Sequence, residues 1–305
     1  MITRPPFSRT RLAPIVTAAA AAAALQLAGC DAFNEFLHPT PAIRFAPAGE
    51  GSAQKPDLAK VEHDFPLTMD ERRKLTPDNL KNFSQEQLDQ IYARLTAGPI
   101  PDGAFDGGLV FPKGESGDRR LAEIVGGLPG LAVELKLHRV EDLGHALWKG
   151  KVFYRSDRLL RNRIEDLAIL KPIIDGDLGT IEKIKVDGKD QWLLFPAKLY
   201  CGQSLLDSRR ESIIIDYFFT DEIPGYRQKP DFLAGRNGLA VRDEIRMVRP
   251  GFYLGRAYAG KAFLLNFMLY NKSIAERDGP AFASTGKAAE DCWPGTQARA
   301  ALAAK

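Results

Sequence analysis

Short apolar segments separated by tight turns follow one another from residue 151 to residue 270, and this pattern constrains the fold more than any other feature. Eight such segments are rich in β-branched and aromatic residues, which is typical of strands. They are residues 151–154, 159–164, 182–186, 191–201, 212–219, 241–248, 251–258 and 262–270. Asp187 and Gly188 lie between two of them as a two-residue hairpin turn. Consecutive strands with short turns favour an antiparallel meander that can curl into a barrel.

The chain before residue 148 has helical signals instead. Ser84 and Gln87 have the spacing of a capping box, and apolar residues then recur with helical period through residues 85–97. Further helices are predicted at 118–126 and 130–147, and the glycine-rich stretch 101–112 ends in a candidate strand.

These patterns predict an α+β fold with a defined order of parts. A helical N-terminal part, residues 67–147, is expected to pack on an antiparallel β-barrel-like domain, residues 148–272. Residues 273–305 are predicted to be a C-terminal tail. Residues 30–66, rich in proline, glycine and small polar residues, are predicted to be a disordered tether.

Residues 1–29 have the composition of an export signal. Three arginines precede a mostly alanine segment, 15–26, that is shorter than the roughly 20 apolar residues a membrane-spanning helix needs. The signal ends in Leu27-Ala28-Gly29-Cys30, which resembles the lipobox of bacterial lipoproteins. The resemblance implies cleavage before Cys30, acylation of its thiol, and anchoring to a membrane on the periplasmic side, with the inner or outer membrane left open. The alternatives are an ordinary signal, or an uncut anchor helix with a chance cysteine.

The net charge of the chain bears on which kinds of partner it is expected to bind. Without residues 1–29 the chain has 39 basic and 39 acidic residues, because the signal carries three arginines and no acid. A neutral chain has no general attraction for nucleic acid or anionic lipid. We therefore expect membrane attachment through the lipid anchor alone and no nucleic-acid partner, and the sequence indicates no particular protein partner.

Two further cysteines, Cys201 and Cys292, remain if Cys30 is acylated. An oxidising periplasm would allow them to form a disulfide. The alternative is a pair of buried free thiols.

Familiar catalytic and cofactor motifs are absent from the sequence. It has no Gly-x-Ser-x-Gly elbow, phosphate-binding loop, dinucleotide-binding glycine triplet, Cys-x-x-Cys pair or His-Glu-x-x-His helix. The four histidines have no further ligands at metal-site spacing. The sequence therefore predicts neither a cofactor nor a metal.

Charged residues inside apolar strands are the unusual feature. Asp216 interrupts an apolar run, and Asp243 alternates with Arg242, Glu244 and Arg246, so that Asp243 has the opposite face of its strand. A buried carboxylate needs a partner, so these charges form either a structural ion-pair network or the polar end of a ligand cavity. The second alternative gives a set of candidate ligand-binding residues. They are Asp216, Tyr217, Arg242, Asp243, Arg246 and Tyr253.

Two stretches resemble a known group of barrels. The run from Trp148 to Phe153 resembles the opening of calycin-like barrels, and residues 243–255 and 267–269 are similar to the closing strands of bacterial calycin-like families of the GXWXG/DUF4334 type. The resemblance implies a barrel able to hold a small hydrophobic molecule. It implies no catalytic residue.

The sequence thus predicts a membrane-tethered periplasmic lipoprotein that binds or carries a small hydrophobic or amphipathic ligand. One alternative is an envelope hydrolase that uses Asp216 or Asp243 as a general acid or base. The other is a structural envelope lipoprotein that binds other proteins through an exposed apolar patch.

Overall fold

The structure, a computed structural model, describes residues 35–47, 56–114, 148–168, 170, 171, 174 and 176–296. The chain divides into two units, Met1–Thr40 and Pro41–Lys305. In the first unit residues 35–37 form a helical turn, and the Thr40 hydroxyl donates to Glu35 Oε1 over 3.0 Å. Cys30 and the helices predicted at 118–126 and 130–147 lie outside the described residues.

Within the described part of the second unit, nine antiparallel strands form one sheet. They are β1 (Gly103–Val110), β2 (Trp148–Tyr154), β3 (Leu159–Ile164), β4 (Lys183–Val186), β5 (Lys189–Gln203), β6 (Glu211–Asp216), β7 (Val241–Arg249), β8 (Phe252–Ala259) and β9 (Ala262–Tyr270). Eight of them form a closed ring, because β1 pairs with both β2 and β9, and β3 pairs with β5. β4 forms a hairpin with the first residues of β5, and the predicted turn at Asp187 and Gly188 joins the two strands. The predicted antiparallel β-barrel is confirmed.

The strand β1 closes the ring although three of its eight residues are glycines. A Cβ atom at Gly107 would lie 2.5 Å from the Trp148 ring. Gly150 on β2, the register partner of Asp106, has a φ of 135°, and a Cβ atom there would lie 2.0 Å from the Phe105 carbonyl oxygen. Glycine therefore lets β1 and β2 approach closely and leaves room for the indole. The barrel begins at Gly103, within the segment that the sequence pattern assigns to the helical part.

The described segments of this unit also contain five α-helices and three 3-10 turns. The α-helices are α1 (Leu58–Asp64), α2 (Met69–Lys74), α3 (Gln85–Ala93), α4 (Gln228–Asp231) and α5 (Lys272–Thr285), with 3-10 turns at Leu80–Asn82, Leu178–Thr180 and Thr220–Glu222. The predicted capping box is present at α3, where the Ser84 hydroxyl accepts from Gln87 N and the Gln87 side chain accepts from Ser84 N. α3 ends four residues before the predicted limit, because the chain then pairs with β7 through Thr96 and Met247.

The N-terminal helices pack on the outer face of β7, β8 and β9. Leu88, Ile91 and Tyr92 of α3 lie in one apolar cluster with Phe252 and Leu254 of β8. This contact attaches the described part of the predicted helical segment to the barrel wall.

Part of the predicted tether belongs to the same folded body. Ile43 and Val61 are buried, and Ala46 N donates to Gln90 Oε1 over 3.0 Å. We call the layer of helices α1 to α3 on the barrel wall the helical cover. Residues 41–47 and 56–66 are ordered parts of this layer, and α1 lies within them.

We call the end of the barrel at which β1 ends and β2 begins the upper end, and the opposite end the lower end. The predicted C-terminal tail lies at the lower end as a packed extension. Phe282 of α5 enters the main apolar core. Cys201 and Cys292 form a disulfide, with their Cα atoms 5.4 Å apart. Glu290 and Asp291 accept hydrogen bonds from the backbone nitrogens of Gly98 and Ile100, both over 2.8 Å.

Candidate functional site

The alternation of β7 sorts its charges onto two sides of the barrel wall. Ile245 and Met247 lie in the interior core, and Asp243 shares their face. Arg242, Glu244 and Arg246 are on the outer face, as the sequence pattern predicts for a strand at this position.

Asp243 belongs to a buried polar group inside the barrel, which we call the polar floor: Lys151, Asn162, Tyr217 and Asp243. Lys151 Nζ lies 3.0 Å from Asp243 Oδ2, 2.9 Å from Asn162 Oδ1 and 2.5 Å from the Tyr217 hydroxyl oxygen. Asn162 Nδ2 donates to the same hydroxyl over 2.9 Å. The side chains of Lys151 and Asp243 are only 3% and 6% exposed, so this is an ion pair inside the barrel.

Aromatic rings surround the Lys151 ammonium. Its Nζ lies 5.3 Å from the centroid of the Trp148 ring, 5.2 Å from that of Tyr217 and 5.5 Å from that of Phe267. Ring faces stabilise a cation at such distances. The aromatic residues thus add to the hydrogen bonds that keep a charged lysine in the interior.

Burial and charge act in opposite directions on the ionisable groups of the polar floor. Burial raises the pKa of Asp243 above its ordinary value, and the nearby Lys151 ammonium opposes that rise. Burial also acts to lower the pKa of Lys151, but Tyr217 and Asp243 outweigh it and the pKa is raised. Burial raises the pKa of Tyr217 to about 12. Lys151 and Tyr217 therefore keep their protons at neutral pH, and an acid–base reaction here would have to use Asp243.

Partly exposed apolar side chains stand near the upper end of the barrel, one on each of six strands. We call this ring the upper mouth: Leu109, Trp148, Phe195, Val241, Ala257 and Leu265. Three contacts tie the ring to the polar floor. The Trp148 indole N–H donates to Asn162 Oδ1 over 2.8 Å, the Phe195 carbonyl accepts from Asn162 Nδ2 over 3.1 Å, and Ala257 lies opposite Asp243. The upper mouth and polar floor are the candidate functional site.

Aromatic side chains fill the interior toward the lower end. Phe105 packs edge to face against Phe153 and Tyr253, with ring centroids 5.5 Å and 5.8 Å apart. The Tyr253 hydroxyl donates to the Pro99 carbonyl over 2.7 Å. Tyr253, a predicted ligand contact, therefore belongs to this packed layer and lies away from the polar floor.

Asp216 lies on the outer face of the barrel, opposite Arg242 in the β6–β7 register. The Tyr200 hydroxyl donates to Asp216 Oδ2 over 2.5 Å, and Phe218 N donates to Asp216 Oδ1 over 2.9 Å. The sequence pattern predicts Asp216 and Asp243 as candidate contacts of one cavity. The structure does not bring them together. Asp216 lies opposite Arg242, and Asp243 is the next residue on β7, so its side chain points to the other face of the sheet.

The side chains of Arg242 and Arg246 also lie on the outer face of the barrel. Arg242 forms an ion pair with Glu244. Arg246 is fully buried beneath α3, where it donates to the Ser212 hydroxyl over 2.9 Å and to the Tyr92 carbonyl over 3.2 Å. These contacts hold the helical cover to the wall. The charges of β7 thus form ion pairs on both sides of the wall, with Arg242–Glu244 outside the barrel and Asp243–Lys151 inside it.

A concavity lies at the lower end, between the barrel and α5. This cleft has a volume of about 710 Å³ and mixed apolar and charged walls. Its side chains include Phe105, Tyr253, Arg277, Phe282 and Lys287. The charges are largely paired, since Arg277 binds Asp278 and Arg155, also in the wall, binds Asp291.

The ligand atoms of Cys201, Glu211 and Cys292 lie within 4.8 Å of one another. The disulfide engages both sulfur atoms. A single carboxylate is left, which is too few ligands for a metal site.

Sequence reasoning missed Lys151 and Asn162 as site residues. The signal was present, because alternation places Lys151 on the face of Phe153, and Asn162 on that of Leu160. A lysine in a strand is ordinarily solvent-exposed, and only the closed ring brings β2 and β3 against β6 and β7.

Among the helices of the described residues, none is both long and apolar enough to cross a membrane. No family model matches the chain, and no curated protein matches it. Of solved structures, a protein from Thermomonospora curvata is similar, with 17% identity, a TM-score of 0.30, and coverage of 63% of this chain and 89% of that one. A likeness of this degree establishes neither a shared fold nor a shared function.

Proposed function

We propose that this chain is a lipid-anchored envelope protein whose barrel binds a small hydrophobic or amphipathic ligand at the upper mouth. The observation that carries the proposal is the ring of partly exposed apolar side chains above a buried polar floor. Small-molecule sites are typically apolar cavities with a few placed polar groups. The interior of an eight-stranded barrel is just wide enough to be filled by side chains or to hold one small ligand.

The position of the helical cover supports placing the ligand site at the upper end of the barrel. α1 to α3 bury the outer apolar surface of β7 to β9, and aromatic rings fill the interior toward the lower end. The upper mouth is where the inner wall keeps apolar area partly accessible. The calycin-like resemblance of residues 148–153 and 243–255 agrees with a ligand in the barrel.

The anchor belongs to the proposal as well. Leu27-Ala28-Gly29-Cys30 follows an arginine-bearing apolar signal, and the chain after it is electrically neutral. A diacylglyceryl group on Cys30 supplies two acyl chains, which suffice for stable membrane attachment. Such an anchor would hold the barrel beside a source of membrane-derived ligands.

Native mass spectrometry of the chain extracted from the envelope tests the ligand site. We expect a bound small molecule on the unaltered chain and its loss in Ala257→Phe, because the new ring would occupy the upper mouth. Ala281→Phe is the matched control, since it places the same ring in the lower cleft. An unaltered chain without ligand, or a ligand that persists in Ala257→Phe and leaves in Ala281→Phe, would overturn the proposal.

The intact mass of the same material tests the anchor. We expect a chain that begins at Cys30 and carries the added mass of its acyl groups. Cys30→Ser should lack that mass. A mature chain with an unmodified Cys30 would contradict the lipid-anchor proposal without bearing on the upper mouth.

A further inference from the structure

Every side-chain N–H of the polar floor already has an acceptor. Lys151 has three donors, and three acceptors lie within 3.0 Å of its Nζ: Asn162 Oδ1, Tyr217 Oη and Asp243 Oδ2. An additional acceptor would have to displace one of them. Lys151 therefore has no donor left for a ligand.

The other nitrogen donors are used in the same way. Asn162 Nδ2 has two hydrogens, and it donates to the Phe195 carbonyl and to the Tyr217 hydroxyl. The single N–H of Trp148 donates to Asn162 Oδ1. The Tyr217 hydroxyl lies 3.4 Å from both Asn162 Oδ1 and Asp243 Oδ2, which are the acceptors for its proton.

One acceptor remains at the floor. Asp243 receives Lys151 and Tyr217 through Oδ2, and no residue that the structure describes donates to its Oδ1. Asp243 Oδ1 is not among the fully buried side-chain atoms of the described residues that lack a partner, so it retains accessible surface. A ligand that covered this oxygen without donating to it would leave it unsatisfied, which is costly, so a donor is favoured there. The charge is already balanced, because the Lys151 ammonium neutralises the Asp243 carboxylate.

We infer that the ligand of the upper mouth is an uncharged hydrogen-bond donor with an apolar body, such as a long-chain alcohol or a hydroxyl-bearing neutral lipid. The inference rests on the proposed function and names its ligand class. A carboxylate or phosphate head group brings acceptors and negative charge to a site that offers only an acceptor. Free fatty acid anions and phospholipid head groups are therefore excluded by the same hydrogen-bond inventory.

Three eight-carbon probes separate these head groups while keeping the chain length fixed. 1-Octanol donates one hydrogen bond, its isomer heptyl methyl ether donates none, and octanoate is an anion. Each is titrated at pH 8 into the full chain held in phospholipid nanodiscs, with empty nanodiscs as the partition background. Fluorescence of Trp148 in the upper mouth reports binding. The Trp148→Phe variant retains only the fluorescence of Trp192 and Trp293, so the difference between the two chains is the Trp148 signal.

We expect 1-octanol to bind at least about tenfold more tightly than either other probe, because it alone donates to a charged acceptor. Octanoate binding as tightly as 1-octanol, or heptyl methyl ether matching it, would overturn the inferred ligand class and leave ligand binding intact. Binding of none of the three would instead count against the upper mouth as a site. The three probes are compared on the unaltered chain, and Trp148→Phe serves only to assign the fluorescence change to Trp148.

Discussion

Removing either charge of the Lys151–Asp243 pair should destabilise the barrel strongly, and removing both should cost much less than the sum. Charges 3.0 Å apart attract by about 5–6 kcal/mol at an effective dielectric constant near 20. Most of that attraction offsets the desolvation of two buried ions. Loss of one partner leaves a buried uncompensated charge, for which the cost is typically about 3–5 kcal/mol.

The variants are Lys151→Met, Asp243→Asn and the two combined, compared by urea denaturation at pH 7. We expect each single variant to lose about 3–5 kcal/mol of unfolding free energy. The double variant should lose at least about 2 kcal/mol less than the sum, since neither charge is then left alone. Asp216→Asn, on the outer face, is the matched carboxylate control and should change stability much less.

The pH dependence of stability gives a second test of the same double-mutant comparison. The Lys151→Met variant lacks the ammonium that opposes the rise in the pKa of Asp243, so in the folded state this pKa rises further. In the unfolded chain the pKa of Asp243 keeps its ordinary value of 3.8. The folded state then binds more protons than the unfolded state, so stability is greatest below about pH 4 and falls as pH rises through the folded pKa. Asp243→Asn should lack this dependence. Additive single losses within about 0.5 kcal/mol, or a Lys151→Met variant insensitive to pH, would refute a coupled buried pair.

Three further predictions concern the frame around the site. Replacing Cys201 and Cys292 by alanine should lower the unfolding free energy by about 4–5 kcal/mol in denaturation experiments, because the disulfide spans 91 positions; an unchanged value would contradict an entropic contribution from this bridge. Ser84→Ala should lose about 0.5–2 kcal/mol by the same assay, because it removes the hydroxyl that caps Gln87 N at the start of α3, and Ser84→Thr should retain most of the stability. Burial raises the pKa of Asp231 to about 6, so carboxyl-carbon NMR should show it titrating near pH 6, and stability should fall as pH rises from about 4 to 6; titration near 3.8 would contradict the expected dominance of burial.

Alternating residues carried most of what could be predicted about the barrel. The pattern in 241–248 placed Asp243 with Ile245 on one face and Arg242 with Arg246 on the other, and the structure has that arrangement. Periodicity succeeds here because a strand between a core and a helical cover exposes each side chain to only one of two surroundings.

The strand β1 was largely missed for a physical reason. Its glycines have poor strand propensity, and their value lies in the close approach to Gly150 and in the space for Trp148. Both partners are distant in sequence. No local pattern could therefore reveal that residues 103–110 close the ring.

The partner of Asp243 was beyond local reasoning as well. The sequence pattern indicates that a buried carboxylate needs a partner but does not identify it, and the partner of Asp243 is Lys151. Lys151 lies in β2, which pairs with β1 and β3 rather than with β7. The two charges meet across the interior of a closed barrel, so predicting the pair requires the ring and its register together.

One strand thus connects the frame to the candidate site. The outward residues of β7, including Arg246, fasten the helical cover through Ser212 and Tyr92, while inward Asp243 completes the polar floor. A one-residue shift of β7 would exchange the two faces, burying arginine in the barrel and placing Asp243 under α3. The helical cover therefore fixes the register that the floor depends on. In the proposed ligand site, that register also determines that Asp243 Oδ1 is the acceptor available to a ligand.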